Sequence, residues 1–161
     1  MHTVFTPGRL NVDVEYRFYA GLPWFHKSGT MQATKDFEAP ALRDDEWVFS
    51  GQSFTEIVWM GPDGKLHTGS VDPALRDKLW AVGFANPHSK DSFVALFLEH
   101  KAEGLPELNH NGSPTLFYRW HGHVWSRYPL PVKQVPAGAV LWQKNAYAAL
   151  PFTQADGPRL L

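Results

Sequence analysis

The stretch Asn11–Tyr19, NVDVEYRFY, alternates without a break, with Val12, Val14, Tyr16 and Phe18 on one side and Asp13, Glu15 and Arg17 on the other. A two-residue period is that of a β-strand, whose successive side chains leave opposite faces, and apolar set against charged marks one buried face. Gly21 and Pro23 then supply turn residues, and Trp24–Phe37 alternates loosely as a second strand in which Gly29 reads as a bulge. Further out, Phe54–Met60 reads as a strand, Gly61-Pro62-Asp63-Gly64 as a reverse turn, and Lys65–Gly69 as the returning strand of the hairpin. Ser92–Lys101, SFVALFLEHK, is apolar until Glu99 and His100, the pattern of a strand buried on both faces. Asn109-His110-Asn111-Gly112 turns the chain into a long strand over Thr115–Arg127, ended by Pro129 and Pro131, and the turn Val135–Gly138 leads into a strand over Val140–Ala149.

A single helical candidate interrupts this pattern. In Val71–Val82, Asp72 is suited to the N-cap, Pro73 to the first helical position, and good helix formers follow. Glu38–Trp47, with Arg43, Asp44, Asp45 and Glu46 in a row, reads as a solvated charged loop, and the chain after Phe152 as a loosely held tail. About seven to nine strands divided by turn signals, with at most one short helix, predict an all-β fold, an antiparallel β-sandwich.

The 161 residues suffice for one core and predict a single domain over 1–161. Aromatic residues reach 14%, with 7 Trp and 11 Phe, an excess that a β core absorbs more often than a ligand site does. A net charge of -1 gives no basic field for a phosphate backbone, so nucleic acid is not an expected partner. No run approaches the roughly 18 apolar residues of a membrane span, and Met1–Leu10 lacks the layout of a secretory leader. With no cysteine there is no disulfide, thiolate site or cysteine nucleophile, which suits a cytoplasmic protein and is equally compatible with a periplasm. No G-x-S-x-G elbow, phosphate loop or dinucleotide fingerprint occurs, and no cofactor is expected.

Tyr16–Pro23, YRFYAGLP, with Lys27–Phe37 behind it and PAGAVLWQKNAYAAL at 136–150, resembles part of a β-supersandwich of the galactose mutarotase-like class. The resemblance implies a large twisted antiparallel sandwich whose concave face meets carbohydrate, in a class that includes sugar epimerases, mutarotases and domains of polysaccharide lyases and glycoside hydrolases. Supersandwich domains are much longer than this chain, so it would be a compact variant, a part of one, or a homo-oligomer whose sheets complete one another. The His acid and Glu base of mutarotases have no unique counterparts here, and no catalytic residue is carried over.

Chemistry concentrates in Trp120–Tyr128, WHGHVWSRY. If this stretch is one extended strand, His121, His123, Trp125 and Arg127 share a face. An aromatic ring against sugar C–H groups, with Arg and His hydrogen-bonding hydroxyls, makes Trp125 and Arg127 candidate substrate contacts, with Arg43 and Trp47 completing the rim. Acid–base work on a pyranose would fall to His121, His123 and Glu46, with Glu99 and Glu103 as other carboxylates. Carbohydrate or another small polar ligand is the expected partner, and the residues leave open whether it is turned over. Two alternatives stand beside this. His-x-His spacing also suits a cupin-like metal enzyme, although the Glu and Gly of that pattern are replaced by Ser126 and Arg127, and a sandwich edge could pair with another chain in a non-catalytic subunit. Solvated histidines on an outer strand face are the commoner explanation of the pair. A third set, Tyr16, Arg17, Tyr19 and His26, could be gathered by the Gly21-Leu22-Pro23 turn, though an amphipathic strand with a Tyr at its edge, the commoner arrangement, explains the same residues without a ligand.

Overall fold

The computed structural model describes residues 2–5, 8–39, 45–49, 53–61, 63–70, 78–105, 115–120, 124–127 and 134–151. Their strands are β1 (His2–Phe5), β2 (Leu10–Phe18), β3 (Trp24–Ala33), β4 (Phe37–Glu38), β5 (Asp45–Val48), β6 (Glu56–Met60), β7 (Leu66–Ser70), β8 (Lys78–Leu79), β9 (Ala81–Asn86), β10 (Asp91–Glu103), β11 (Thr115–Trp120), β12 (Val124–Arg127), β13 (Gln134–Val135) and β14 (Val140–Pro151). An eight-stranded sheet runs β1-β2-β3-β14-β10-β9-β6-β7, a four-stranded sheet β5-β12-β11-β8, and β13 pairs with β4. Every pairing is antiparallel. The fold is all-β, and no helix is present among the described residues.

Trp47 of β5 joins the sheets. Its indole contacts Phe84, Phe93, Phe97 and Tyr147 on the inner face of the large sheet. Around these rings Ile57, Leu79, Val82, Phe84 and Ala95 are almost wholly removed from water, forming one hydrophobic cluster. A second cluster, Ala33, Ala102, Leu105, Val135, Ala139 and Leu141, occupies the other end of the same face. Burial of apolar surface at about 25 cal/mol per Å² makes these two clusters the main favourable contribution to folding.

Five expectations are corrected. Lys78–Leu79 and Ala81–Val82, the described end of the proposed helix, lie in β8 and β9, and 71–77 fall outside the described residues. Helix propensity yields there because Val82 and Phe84 are fully buried beside Ala95 and Phe93 in the sheet. Gly29 is no bulge: β3 pairs through it in unbroken register with β2 and β14. The bulge lies in β10 instead, where the register shifts between Phe97 and Glu99. The long strand over Thr115–Arg127 is two strands, since Trp120 pairs with Val124 and Phe117 with Arg127. Residues 121–123 between them, on which the expectation of one unbroken strand depended, lie outside the described residues. The charged loop is partly strand, with Asp45 buried in β5. Finally, β10 is not buried on both faces throughout: Ala95 and Phe97 point inward, and on the outer side Ser92 and Val94 are covered while Leu96 and Leu98 are 36% and 43% exposed.

The expected hairpin is β6 with β7, Met60 opposite Leu66. Gly64, at φ 71, takes a left-handed conformation that glycine adopts without a Cβ penalty. The Asp63 carboxylate accepts a hydrogen bond from the Lys65 backbone N–H at 3.0 Å and lies 3.5 Å from His67 Nε2. The Lys65 N–H, followed by His67, holds its pKa below the ordinary carboxylate value. A group depressed in the folded state adds stability above its unfolded pKa and loses it as pH falls through the folded one. Titration by NMR should give Asp63 a midpoint below that of an unstructured aspartate, and Asp63→Asn should weaken the acid-dependent loosening of this hairpin; a normal midpoint would contradict the geometry.

Candidate functional site

The reversal Ala20–Pro23, in which the Leu22 N–H donates to the Tyr19 carbonyl and Gly21 sits at φ 76, folds β3 back along β2 with Phe18 opposite Phe25. Alternation then sends Tyr16, Phe25 and Lys27 to the inner face and Arg17, Trp24 and His26 to the outer one. Tyr19 folds onto the outer pair: its ring is 4.8 Å from Trp24 and 5.6 Å from His26, and its hydroxyl shares a 3.0 Å hydrogen bond with His26 Nδ1. Trp24 and His26 are themselves 4.8 Å apart. The result is a ridge of two aromatic rings and one imidazole.

Beside the ridge the sheet dips. Ala146 and Ala148 of β14 stand opposite His26 and Trp24, and Leu96 and Val94 of β10 stand opposite those alanines. Small residues between larger ones leave a groove of about 300 Å³, walled by Trp24 and His26 on one side and Leu96 and Leu98 on the other. The bulge in β10 brings Leu98 beside it. At the next same-face position along each strand, Glu15, Ser28, Lys144 and Glu99 form a polar row across the same face. Arg17 closes the row's end in a two-pronged pair with Glu15, at 2.9 Å for each contact. Hydrogen bonding and charge from Glu15 raise the Arg17 pKa above its ordinary value. The guanidinium is therefore a permanent cation at the rim.

The inner face carries a different polar group. Lys27 Nζ lies 2.7 Å from Asp45 Oδ1, the Tyr147 hydroxyl donates to Asp45 Oδ2, and Asn145 Nδ2 donates to Gln143 Oε1 at 2.7 Å. With His100 these residues form a buried belt between the two hydrophobic clusters. Each is held by the protein, so the belt reads as an internal lock joining the sheets.

Of the residues singled out from sequence, Trp47 is in the inter-sheet core. The backbone of Glu46 lies in β5 opposite Ser126, and β12 positions Trp125 and Arg127 stand opposite Trp47 and Asp45, so these two segments are direct neighbours. His121, His123 and Arg43 lie outside the described residues. Among the described residues no three His, Asp or Glu side chains gather to hold a metal ion. Arg17, Tyr19 and His26 are brought together on the outer face; Tyr16 is not. Trp24, the ridge's centre, and the alanine floor were missed. Their signal was present, since Trp24 and His26 share a strand phase and Ala146 and Ala148 repeat at the same interval.

The chain's architecture is similar to part of a solved structure. Over 89% of its length it is similar to 22% of the α-galactosidase from Lactobacillus brevis, with a TM-score of 0.57 and 10% sequence identity. The likeness is one of fold. Over 88% of its length it also matches 55% of the Slr1438 protein from Synechocystis sp. PCC 6803, with a TM-score of 0.42 and 8% identity. No family model matches the sequence, and no curated protein matches it.

Proposed function

We propose that this chain is a carbohydrate-binding β-sandwich and that the outer-face groove holds a pyranose ring. The observation that carries the reading is the Tyr19–Trp24–His26 ridge beside an alanine-floored groove bordered by Glu15, Ser28, Lys144 and Glu99. A sugar presents an apolar C–H face and an equatorial fringe of hydroxyls. Trp24 offers a π surface to the first, and the polar row offers donors and acceptors to the second. At about 300 Å³ the groove is at the small end of ligand sites, which run from roughly 300 to 1,000 Å³, and suits one ring better than a chain. The fold likeness to part of an α-galactosidase is in keeping with this reading.

The proposal is of binding. Ring opening or epimerisation requires proton donor and acceptor on opposite sides of the sugar; the groove's own lining has an imidazole along one wall and leucines along the other, and its carboxylates, Glu15 and Glu99, stand in the bordering row.

Saturation-transfer NMR with galactose, glucose and short oligosaccharides tests it. Transfer is expected to be strongest at ring C–H protons, with Kd near the millimolar range, and Trp24→Ala should weaken binding by about tenfold or more. Because Trp24 lies on an outer wall, that variant should remain folded by circular dichroism. Absence of transfer from the whole panel, or transfer unaffected by Trp24→Ala, would sink the reading.

A further inference from the structure

A second concavity lies at one end of the sandwich, where the β9–β10 reversal, the end of β14 and the segment around Phe54 meet; its volume is about 890 Å³. Its apolar wall includes Phe49, Phe54 and Phe93, with Phe49 packed edge-on at 4.7 Å from Phe54 and 5.4 Å from Phe93. Asn86 braces the rim. Its side-chain Nδ2 donates to the Ser53 carbonyl at 2.9 Å, and its Oδ1 accepts from the backbone N–H groups of His88 and Ser89 at 3.0 and 3.3 Å. The loop is thus tied to the cleft floor and needs no ordering when a ligand arrives.

The last residue of this reversal, Lys90, has φ 62, and it is the one non-glycine residue in the left-handed region among the described residues. Glycine takes that conformation without steric conflict, and Asn tolerates it better than Lys does. Lys90 thus holds a conformation that glycine would adopt with less strain, and from it the side chain stands at the cleft. Lys90 and the next residue, Asp91, both line the cleft and are exposed, and neither makes an ion pair or side-chain hydrogen bond among the described residues.

We infer that this cleft binds a small zwitterion with an aromatic body, the chemistry of an aromatic α-amino acid. The phenylalanine wall takes the ring, Lys90 the carboxylate and Asp91 the ammonium. A purely anionic ligand would meet Asp91 as a like charge, and a purely cationic one would meet Lys90, so the adjacent pair selects against both.

Calorimetric titration with L-phenylalanine, 3-phenylpropionate and phenethylamine is the test. L-phenylalanine is expected to bind saturably and about tenfold more tightly than either single-charge analogue. Lys90→Gly should reduce L-phenylalanine to the level of phenethylamine while its melting temperature stays the same or rises by a few degrees. Lys90→Gly should also leave the sugar response of the outer groove unchanged, which separates this inference from the proposed function. Three outcomes overturn it: no saturable binding by folded protein, 3-phenylpropionate binding as tightly as L-phenylalanine, or an unaltered affinity in Lys90→Gly.

Discussion

Asp45→Ala is expected to lower folding stability by about 3–5 kcal/mol, because it strands a charge inside the sandwich. The Lys27 side chain is only 14% exposed and that of Asp45 only 4%, so little water reaches the pair. Removing the carboxylate leaves the ammonium without its counter-ion and the Tyr147 hydroxyl without its Asp45 acceptor. The penalty belongs to the stranded partners rather than to the pair, so Asp45→Ala combined with Lys27→Met should recover a large part of it. Urea unfolding followed by circular dichroism measures both variants. A single substitution costing under about 1 kcal/mol, the worth of a surface ion pair, would mean that the lock is wet and contributes little.

Trp47→Ala should produce a loss of at most similar size, since the roughly 3–5 kcal/mol typical of fully buried aromatic truncations sets a ceiling of about 5 kcal/mol for a half-buried indole. Its indole stacks on Phe97 at 6.2 Å and 4° between planes, and meets Phe93, Tyr147 and Phe84 edge-on at 5.4, 5.7 and 6.0 Å. No other described side chain of the small sheet touches so many rings of the large one. The residue was a candidate sugar contact from sequence, and the two roles separate cleanly in experiment. Under the structural role the unfolding midpoint falls while the folded fraction keeps the sugar response of wild type, since the groove is on the opposite face. A Trp47→Ala protein of normal stability that no longer recognised sugar would reverse the assignment.

Strand positions were legible wherever alternation was clean. NVDVEYRFY became β2, with the expected alternation of burial kept from Leu10 to Val14 and lost by Phe18, which is 68% exposed, and the Gly61–Gly64 turn became the β6–β7 hairpin. Two-residue pairings such as β4, β8 and β13 were not, because so few residues carry no period. Asp45 was illegible for another reason. Its immediate neighbours are charged, and the partners that bury it are 18 and 102 residues away in the chain. Pairing across sheets is what buries it, and such pairing leaves no local mark in the sequence. The inner polar belt did leave a trace, since Leu141, Gln143, Asn145 and Tyr147 hold one strand phase with two amides between two hydrophobic residues. The open outer groove left an ambiguous one: a continuous apolar run in β10 means burial on both sides only if something covers both, and sequence does not say what lies above a sheet.

Since Leu98 is supernumerary in β10, that strand keeps two inward frames: odd-numbered Phe93, Ala95 and Phe97 before it, even-numbered His100 and Ala102 after it. Each frame serves one hydrophobic cluster, so the two ends of the interior are phased independently and meet at a single seam. A one-residue change of length elsewhere in this strand would rotate a whole cluster into water. At Leu98 it is absorbed, and the seam that absorbs it also forms part of the groove wall.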